Sequence, residues 1–546
     1  MKTEPYYIKA NQPLTNDYLN YFERVNGLFD FNPWDKNSIT DRLSWLETNS
    51  HLKADRNALS EYLKYFNQKV GNTELALQNI EALKERETLV VIGGQQAGLF
   101  SGPLLTIYKI ITIIKQAREA SKQLKRKVIP VFWIAGEDHD FDEVNHIHYL
   151  SSNSKIKKLK IQPAQEDLKS PISDLKIHLD EWKQVLNDIS EDLIETEFKA
   201  EILDRLNCIT DNSNNLVEVF AKMMVWLFGT SGLILLDSND EQLRQIEVTM
   251  FSNLIKQNGA LNEALYLGKK HVETLGYVPQ AQINDNQSNL FYIHQSERLL
   301  LMRTIQGEYT DKQNKVSFKE DELIQLLYKH PERFSNNVFT RPIMQEYLFP
   351  VWSTVLGPSE IAYWGLLKEV FHLFDMKLPI IHPRFEYTII ESTIQKYMKK
   401  YKFSMDDVLS HFEDKKKSWL LEQDELKVEE HFSEVKKSFE ELYEPLLSKI
   451  ENINPSMAKL GLRNKQKIIE QISFLEKRSV NAIQSQHEAA IRQLDRIQLS
   501  IKPLEKPQER VYNVITYLNK YGFDWFKQLL DEPTDKENLH SIIYLP

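Results

Sequence analysis

Cysteine is nearly absent from this 546-residue chain: Cys208 stands alone. One thiol cannot form an intrachain disulfide or build a cysteine zinc cage, and such sparing use suits a reducing compartment. Glycine and proline are scarce, at 17 and 20 residues, which excludes collagen-like repeats and long flexible linkers. Positive charge is not in excess, because 68 Lys and Arg against 78 Asp and Glu leave a formal net charge of −10. The basic footprint of a dedicated nucleic-acid binder is therefore missing. No run of about 18 apolar residues could cross a bilayer, and the opening MKTEPYYIKANQPL has no signal-peptide apolar core. No repeat with a period of about 20 to 50 residues is visible, which argues against solenoids and propellers. These absences predict a soluble cytoplasmic protein with neither nucleic acid nor membrane as partner.

Apolar mass is plentiful, since 42% of residues are hydrophobic and 11% aromatic, enough for several cores. Residues 1–85 place Leu59, Tyr62, Leu63 and Phe66 at helical spacing and read as a helical lead-in. The texture then changes. Thr88-Leu-Val-Val-Ile92 ends at Gly93-Gly94, and Val128-Ile-Pro-Val-Phe-Trp-Ile134 follows a stretch with Ile107, Ile110, Ile111 and Ile114 at helical spacing. Two continuous apolar runs joined by a helix form a βαβ unit of a parallel sheet buried on both faces. Gly232-Leu-Ile-Leu-Leu-Asp237 and Leu378-Pro-Ile-Ile-His382 read as further strands, separated by inserted segments at about 150–230 and 260–340. Leu290–Ile293 and Leu299–Met302 flank Gln295-Ser-Glu297 and predict a hairpin in the second insertion.

From residue 391 to 510 the chain becomes charged and helical. Phe432, Val435, Phe439, Leu442 and Leu446 form one apolar stripe, and Val480, Ile483, His487, Ala490, Leu494, Ile497 and Ile501 form another. With Asn454-Pro455 between them, they predict an antiparallel coiled coil, with two ordinary bundle helices as the alternative. Pro445 is expected to kink or shorten the first helix, and an exposed seam invites a second copy, hence a homodimer. Residues 511–546 read as a helix docking on the core. The fold class is thus α/β, a parallel Rossmann-like core of residues 86–390 with inserted subdomains plus a helical coiled-coil domain.

Three clusters could carry chemistry. The first is the loop Gly94–Gly102, with Gln95, Gln96, Gly98 and Ser101, which leads to a helix start where free N–H groups and the dipole favour phosphate or carboxylate. It matches neither G-x-G-x-x-G nor the Walker loop, so a plain tight turn capped by the glutamines is the alternative. The second is Ala135-Gly-Glu-Asp-His-Asp-Phe-Asp-Glu-Val-Asn-His146, at the carboxyl end of a buried strand. Glu137, Asp138, His139 and Asp140 suit general acid/base work or holding Mg²⁺ near a nucleotide, with Asn145 and His146 beside them. A zinc site on His139 and His146 lacks a standard ligand spacing, and an acidic turn opening a helix is the alternative reading. The third comprises Arg341 with Gly357, Ser359, Glu360 and Tyr363, then Arg384. Its arginines either bind carboxylates bidentately or form structural pairs with Glu346, Glu360 or Glu386. Cys208 has no histidine nearby in sequence and reads as an ordinary thiol.

Taken together, Gly94-Gln-Gln-Ala-Gly-Leu-Phe-Ser-Gly-Pro103 with Tyr108-Lys109, Pro130–Phe141 with Glu143-Val-Asn-His146, Gly357-Pro-Ser-Glu-Ile-Ala-Tyr363, and Lys506-Pro-Gln-Glu-Arg-Val511 with Lys520-Tyr-Gly522 resemble the cysteine-adding enzymes of bacillithiol biosynthesis. The resemblance runs through most of the chain. It implies a Rossmann-like core with connecting segments, as in class I aminoacyl-tRNA synthetases, and a coiled coil that dimerises. It also implies the last step of the pathway, joining cysteine to glucosaminyl malate. The His-x-Gly-His and Lys-Met-Ser-Lys-Ser elements of those synthetases are missing, and the helix start reads Ser101-Gly-Pro-Leu104. Forming an amide from a carboxylate still needs activation, so ATP or ADP is the expected nucleotide. On this reading the 94–102 loop steadies phosphate or carboxylate oxygens, Asp138, His139 or Asp140 deprotonates the glucosamine ammonium, and Lys109, Arg341 and Arg384 pair with the malate carboxylates. The alternatives are another ATP-dependent amide-forming or nucleotidyl-transfer enzyme, or a coiled-coil scaffold of the pathway.

Overall fold

The computed structural model describes residues 1–164, 169–284, 286–423, 427–452, 455–533 and 540–546. It divides into two units, residues 1–388 with 509–543, and residues 389–508 with 544–546.

The first unit is built on five parallel strands, β1 (Leu89–Gln95), β2 (Val128–Ile134), β3 (Ile234–Asp237), β4 (Val351–Leu356) and β5 (Ile380–Pro383). Their spatial order is β5-β4-β1-β2-β3. Every residue of β2, β3 and β4 is buried, which is why these strands read as unbroken apolar runs rather than alternating ones. Helix α1 (Leu104–Leu124) crosses from β1 to β2 and buries Ile107, Ile110, Ile111 and Ile114. Strand order reverses between β1 and β4, so a crevice is expected outside the carboxyl ends of those two strands.

Four strands fall on the apolar runs of the sequence. The run at 88–92 extends to Gln95, because Gly93 and Gly94 continue the ladder with β2. Central strand β4 escapes the sequence reading because Ser353 and Thr354 interrupt its apolar character. Its signal is the β-branched and aromatic Val351-Trp-Ser-Thr-Val-Leu356 between Pro350 and Gly357-Pro358. Helix α2 (Pro358–Trp364) follows, with Gly357 at its N-cap.

The lead-in supplies helices Pro13–Asn20, Lys36–Thr48, Arg56–Lys69 and Glu74–Ala82, preceded by a short strand, Lys2–Pro5. Tyr62 on the third of these donates to the Asp237 carbonyl at 3.0 Å, seating that helix against β3. The hairpin expected in the second insertion forms the centre of a larger antiparallel sheet. Strands Gln287–His294 and Glu297–Arg303 are joined by Phe334–Asn336, Tyr309–Asp311 and Ser317–Phe318. Gln295 and Ser296 both adopt positive φ, as a two-residue turn matching strand twist requires. The tail departs from an all-helical expectation: after helices Ile515–Tyr521 and Asp524–Asp531 it ends in strand His540–Leu545.

In the second unit, helices α3 (Val428–Glu451) and α4 (Pro455–Gln486) form an antiparallel pair. Lys436 pairs with Glu476, the Tyr443 hydroxyl donates to Asn464 at 2.6 Å, and Lys465 meets Glu444 at 3.1 Å. Helix α3 therefore packs on the middle of α4 rather than on the second stripe at 480–501, and its more buried face carries Phe432, Phe439, Tyr443 and Leu447, while Val435, Leu442 and Leu446 of the predicted stripe are exposed. That second stripe lies at the end of α4 and in α5 (Glu488–Ile501), where Leu494, Ile497 and Ile501 are buried. Tyr401, from helix Ser392–Tyr401, donates to Gln493 on α5 at 2.6 Å. A 3-4 apolar repeat marks an apolar face but not which helix, if any in the single chain, covers it. Pro445 lies inside α3 without ending it. Asn454 of the predicted turn lies outside the described residues. Among the described residues, no helix is long and apolar enough to cross a membrane.

Candidate functional site

A cavity of about 440 Å³ opens at the carboxyl ends of β1 and β2, within the size range of small-molecule sites. Gly94, Gln95 and Gln96 form its floor, and Ala135, Glu137, Asp138 and His139 form one wall as the chain leaves β2. The inserted antiparallel sheet contributes Phe291, Arg298 and Leu300, the segment 336–341 contributes Asn336, Asn337 and Arg341, and α2 contributes Glu360. Gly94 is required here, since a Cβ would stand 2.8 Å from the Trp133 carbonyl and 3.2 Å from Arg341 Nη1.

Charges in the cavity are fixed by neighbours. Burial pushes the Asp138 carboxyl up, but a 2.7 Å hydrogen bond from Gln96 and the nearby Arg298 charge outweigh it and hold the group below its ordinary value. It stays ionised. Burial and the Arg298 guanidinium both push His139 down, against the weaker pull of Asp138, so the imidazole is neutral. Glu360 is likewise held below its ordinary value, because Lys109 and Arg341 together outweigh its burial. Arg341 Nη2 donates to the Tyr363 hydroxyl at 2.9 Å.

Several predicted site residues serve the architecture instead. Glu137 reaches the cavity but accepts from buried Arg244 and, at 3.1 Å, from the Asn336 N–H, so it is an ion-pair partner rather than a free acid. Lys109 is buried, donating to the Gly94 carbonyl at 2.8 Å, to Gln95 at 3.0 Å and to Glu360. Arg384 is buried in a bidentate pair with Glu509, both contacts at 2.6 Å, and touches Glu386 at 3.2 Å. Neither cation lines the cavity, because in each case a carboxylate distant in sequence already neutralises it. Asp140 and Ser359 are exposed and outside the cavity lining. Asn145 is buried, donates to Asp142 at 3.2 Å and lies 3.2 Å from His146 Nδ1; both belong to the start of the 146–160 hairpin. Gly357 caps α2 and donates its N–H to Glu360 at 2.8 Å.

The loop expected to cradle a phosphate at the start of α1 is tightly packed. Phe100, Ser101 and Gly102 all have positive φ, and Gly98 packs so closely that its Cβ would fall 2.6 Å from Gly102 Cα. Buried Asn513 braces this loop, donating to the Phe100 carbonyl at 2.8 Å and the Gly102 carbonyl at 2.7 Å, with Ser101 Oγ at 3.2 Å. The first helical N–H, of Leu104, is taken by the Tyr512 carbonyl at 2.9 Å. That N–H is therefore not free for a ligand at this helix start, and the cations lining the cavity are Arg298 and Arg341. Among the described residues, no group of three or more His, Cys, Asp or Glu side chains is placed to hold a metal ion.

Arg298, Phe291, Asn336 and Asn337 were invisible to the sequence reading. The one local clue is an arginine at the head of the apolar strand Leu299–Met302.

Residues 1–385 match the family model described as "Bacillithiol biosynthesis BshC, N-terminal Rossmann-like domain", and residues 387–545 match "Bacillithiol biosynthesis BshC, C-terminal coiled-coil domain". Relatives named "Putative cysteine ligase BshC" include those of Bacillus cytotoxicus, 36% identical, and of Bacillus cereus strain Q1 and Bacillus anthracis, each 35% identical. Each alignment spans 535 residues, 98% of this chain and 98% of the relative.

Proposed function

The chain belongs to the bacillithiol biosynthesis BshC family, and from that premise we propose that it is a cytoplasmic cysteine ligase, joining the cysteine carboxylate to the amine of glucosaminyl malate in the last step of the pathway. The observation that carries this reading is the meeting, in one cavity, of ionised Asp138, neutral His139 and cationic Arg341. These are the charges needed to receive an ammonium group at one end of a substrate and carboxylates at the other.

Arg341 binds a malate carboxylate through its guanidinium fork. Asp138 orients the glucosamine ammonium and takes one of its protons, which frees the nitrogen lone pair to attack the cysteine carbonyl, the work of a positioned base, and the second proton passes to solvent as the amide forms. ATP, when bound, supplies the group that activates the cysteine carboxylate and leaves as the amide forms. Any Mg²⁺ would enter on the nucleotide phosphates rather than in a protein cage. Holding both substrates at one sheet edge converts a bimolecular attack into an effectively unimolecular one.

Deleting the gene from its host is expected to abolish bacillithiol and to accumulate glucosaminyl malate, read by thiol and metabolite mass spectrometry. Wild type restores the thiol, and a stably folded His139→Ala does not. Persistence of bacillithiol in the deletion, with no second copy of the gene, overturns the reading.

A homodimer through the coiled coil is part of the same proposal. Val435, Leu442 and Leu446 on α3 and Leu460, Phe474 and Leu475 on α4 are exposed in the single chain, Leu442 to 79%, and such an apolar face invites self-association. The full chain should sediment as a dimer, and Leu442→Glu combined with Phe474→Glu should sediment as a folded monomer. A double variant that remains dimeric places the interface elsewhere.

A further inference from the structure

We propose that Arg298 is a positioning residue that fixes His139 as the Nε2–H tautomer, so that His139 meets the substrate as a hydrogen-bond donor and not as a base. The tautomer is argued from geometry alone; the role in catalysis rests on the ligase reading.

Arg298 has little freedom. Its Nε donates to Ser335 Oγ at 2.9 Å and its Nη2 to the Asn336 carbonyl at 2.6 Å. Its Cζ lies 3.8 Å from the centroid of the Phe291 ring, and its backbone N–H is bound to the Lys169 carbonyl at 2.8 Å. The side chain is buried, and the remaining nitrogen, Nη1, stands 3.0 Å from His139 Nδ1. A guanidinium offers five N–H donors and no acceptor. Nδ1 must therefore present its lone pair, which leaves the proton of the neutral ring on Nε2.

The competing arrangement is close at hand. Asp138 Oδ1 lies 3.7 Å from the same Nδ1, and a carboxylate accepting Nδ1–H would free Nε2 as a base, as in hydrolytic triads. Here that oxygen instead accepts the His139 backbone N–H at 2.7 Å, and Oδ2 accepts from Gln96 at 2.7 Å. His139 Nε2 has no hydrogen-bond partner among the described residues, and the ring lines the cavity. When an amine attacks the activated cysteine carbonyl, negative charge grows on the carbonyl oxygen, and an N–H placed for that oxygen stabilises the transition state.

The test is nitrogen NMR of the full-length protein labelled with ¹⁵N-histidine at neutral pH. The chain has 14 histidines, so His139→Gln identifies the signals. Wild type should show an unprotonated Nδ1 and a protonated Nε2. In Arg298→Met the proton should move to Nδ1, towards Asp138, and the rate of amide formation should fall by about 10²-fold, as for loss of a group that orients a catalytic histidine or of an oxyanion donor. A protonated Nδ1 in wild type, or an unchanged pattern in a folded Arg298→Met, overturns the inference. Because the wild-type spectrum decides the tautomer, a variant that fails to fold does not shelter it. A wild type with the expected nitrogen pattern that forms no amide from cysteine, glucosaminyl malate and ATP sinks the ligase reading and leaves the tautomer standing.

Discussion

Arg244→Met is expected to cost about 3 to 5 kcal/mol of folding stability, the range for removing one partner of a buried ionic network. Arg244 sits fully buried on the helix Glu241–Lys256, donating to Glu137 through Nη2 and, at 2.6 Å, to Glu247 through Nη1. Glu247 is fully buried, and burial carries its pKa up to about 7 even with Arg244 opposing the rise. Without the guanidinium, two carboxylates face each other in a dry interior. Glu247 then holds its proton more tightly in the folded chain than in the unfolded one, so the variant should gain stability as pH falls from about 8 towards 5. Urea unfolding at both pH values measures this. An unchanged midpoint would mean that water reaches the cluster and relieves it. Because Glu137 is also a cavity wall, a folded variant should turn over poorly as well.

Asp237→Asn should act in the opposite direction. Asp237 ends β3, buried, and accepts the Ser173 hydroxyl at 2.7 Å and the Asn239 N–H at 3.0 Å. Burial nevertheless raises its pKa from 3.8 to about 7. Between those values the folded chain keeps a proton that the unfolded chain has lost, so stability falls as pH rises and the full cost is present above about 7. Each pKa unit corresponds to about 1.36 kcal/mol, which makes the total about 4 kcal/mol. An asparagine carries no such charge. The variant should match wild type near pH 4 and exceed it by about 4 kcal/mol near pH 8. Glu247 imposes a similar slope on both proteins, so their difference isolates Asp237; parallel stability curves would refute the assignment.

Sequence reading succeeds where the cause is local. Four of five core strands announce themselves because a parallel strand covered on both faces must be apolar throughout. Asp138 and His139 are legible because carboxylates and imidazoles crowd the exit of such a strand. It fails where the cause is a partner far along the chain. Nothing near Lys109 or Arg384 indicates that Glu360 and Glu509 neutralise them, and His139 meets Arg298 across 159 positions. The same limit explains the coiled coil, whose stripes are visible while their pairing is not. The resemblance to a family supplied the architecture and the reaction class, but not these pairings.

The brace around the start of α1 has a consequence in time. Asn513 grips a loop 411 positions earlier, and at translation rates of about 5 to 20 residues per second those positions take on the order of 20 to 80 s to synthesise. For most of that interval the nascent chain carries β1, α1 and β2, while Phe100 and Ser101 lack the Asn513 contacts that brace their left-handed conformations. The first βα loop of the sheet is thus among the last parts of the core to set.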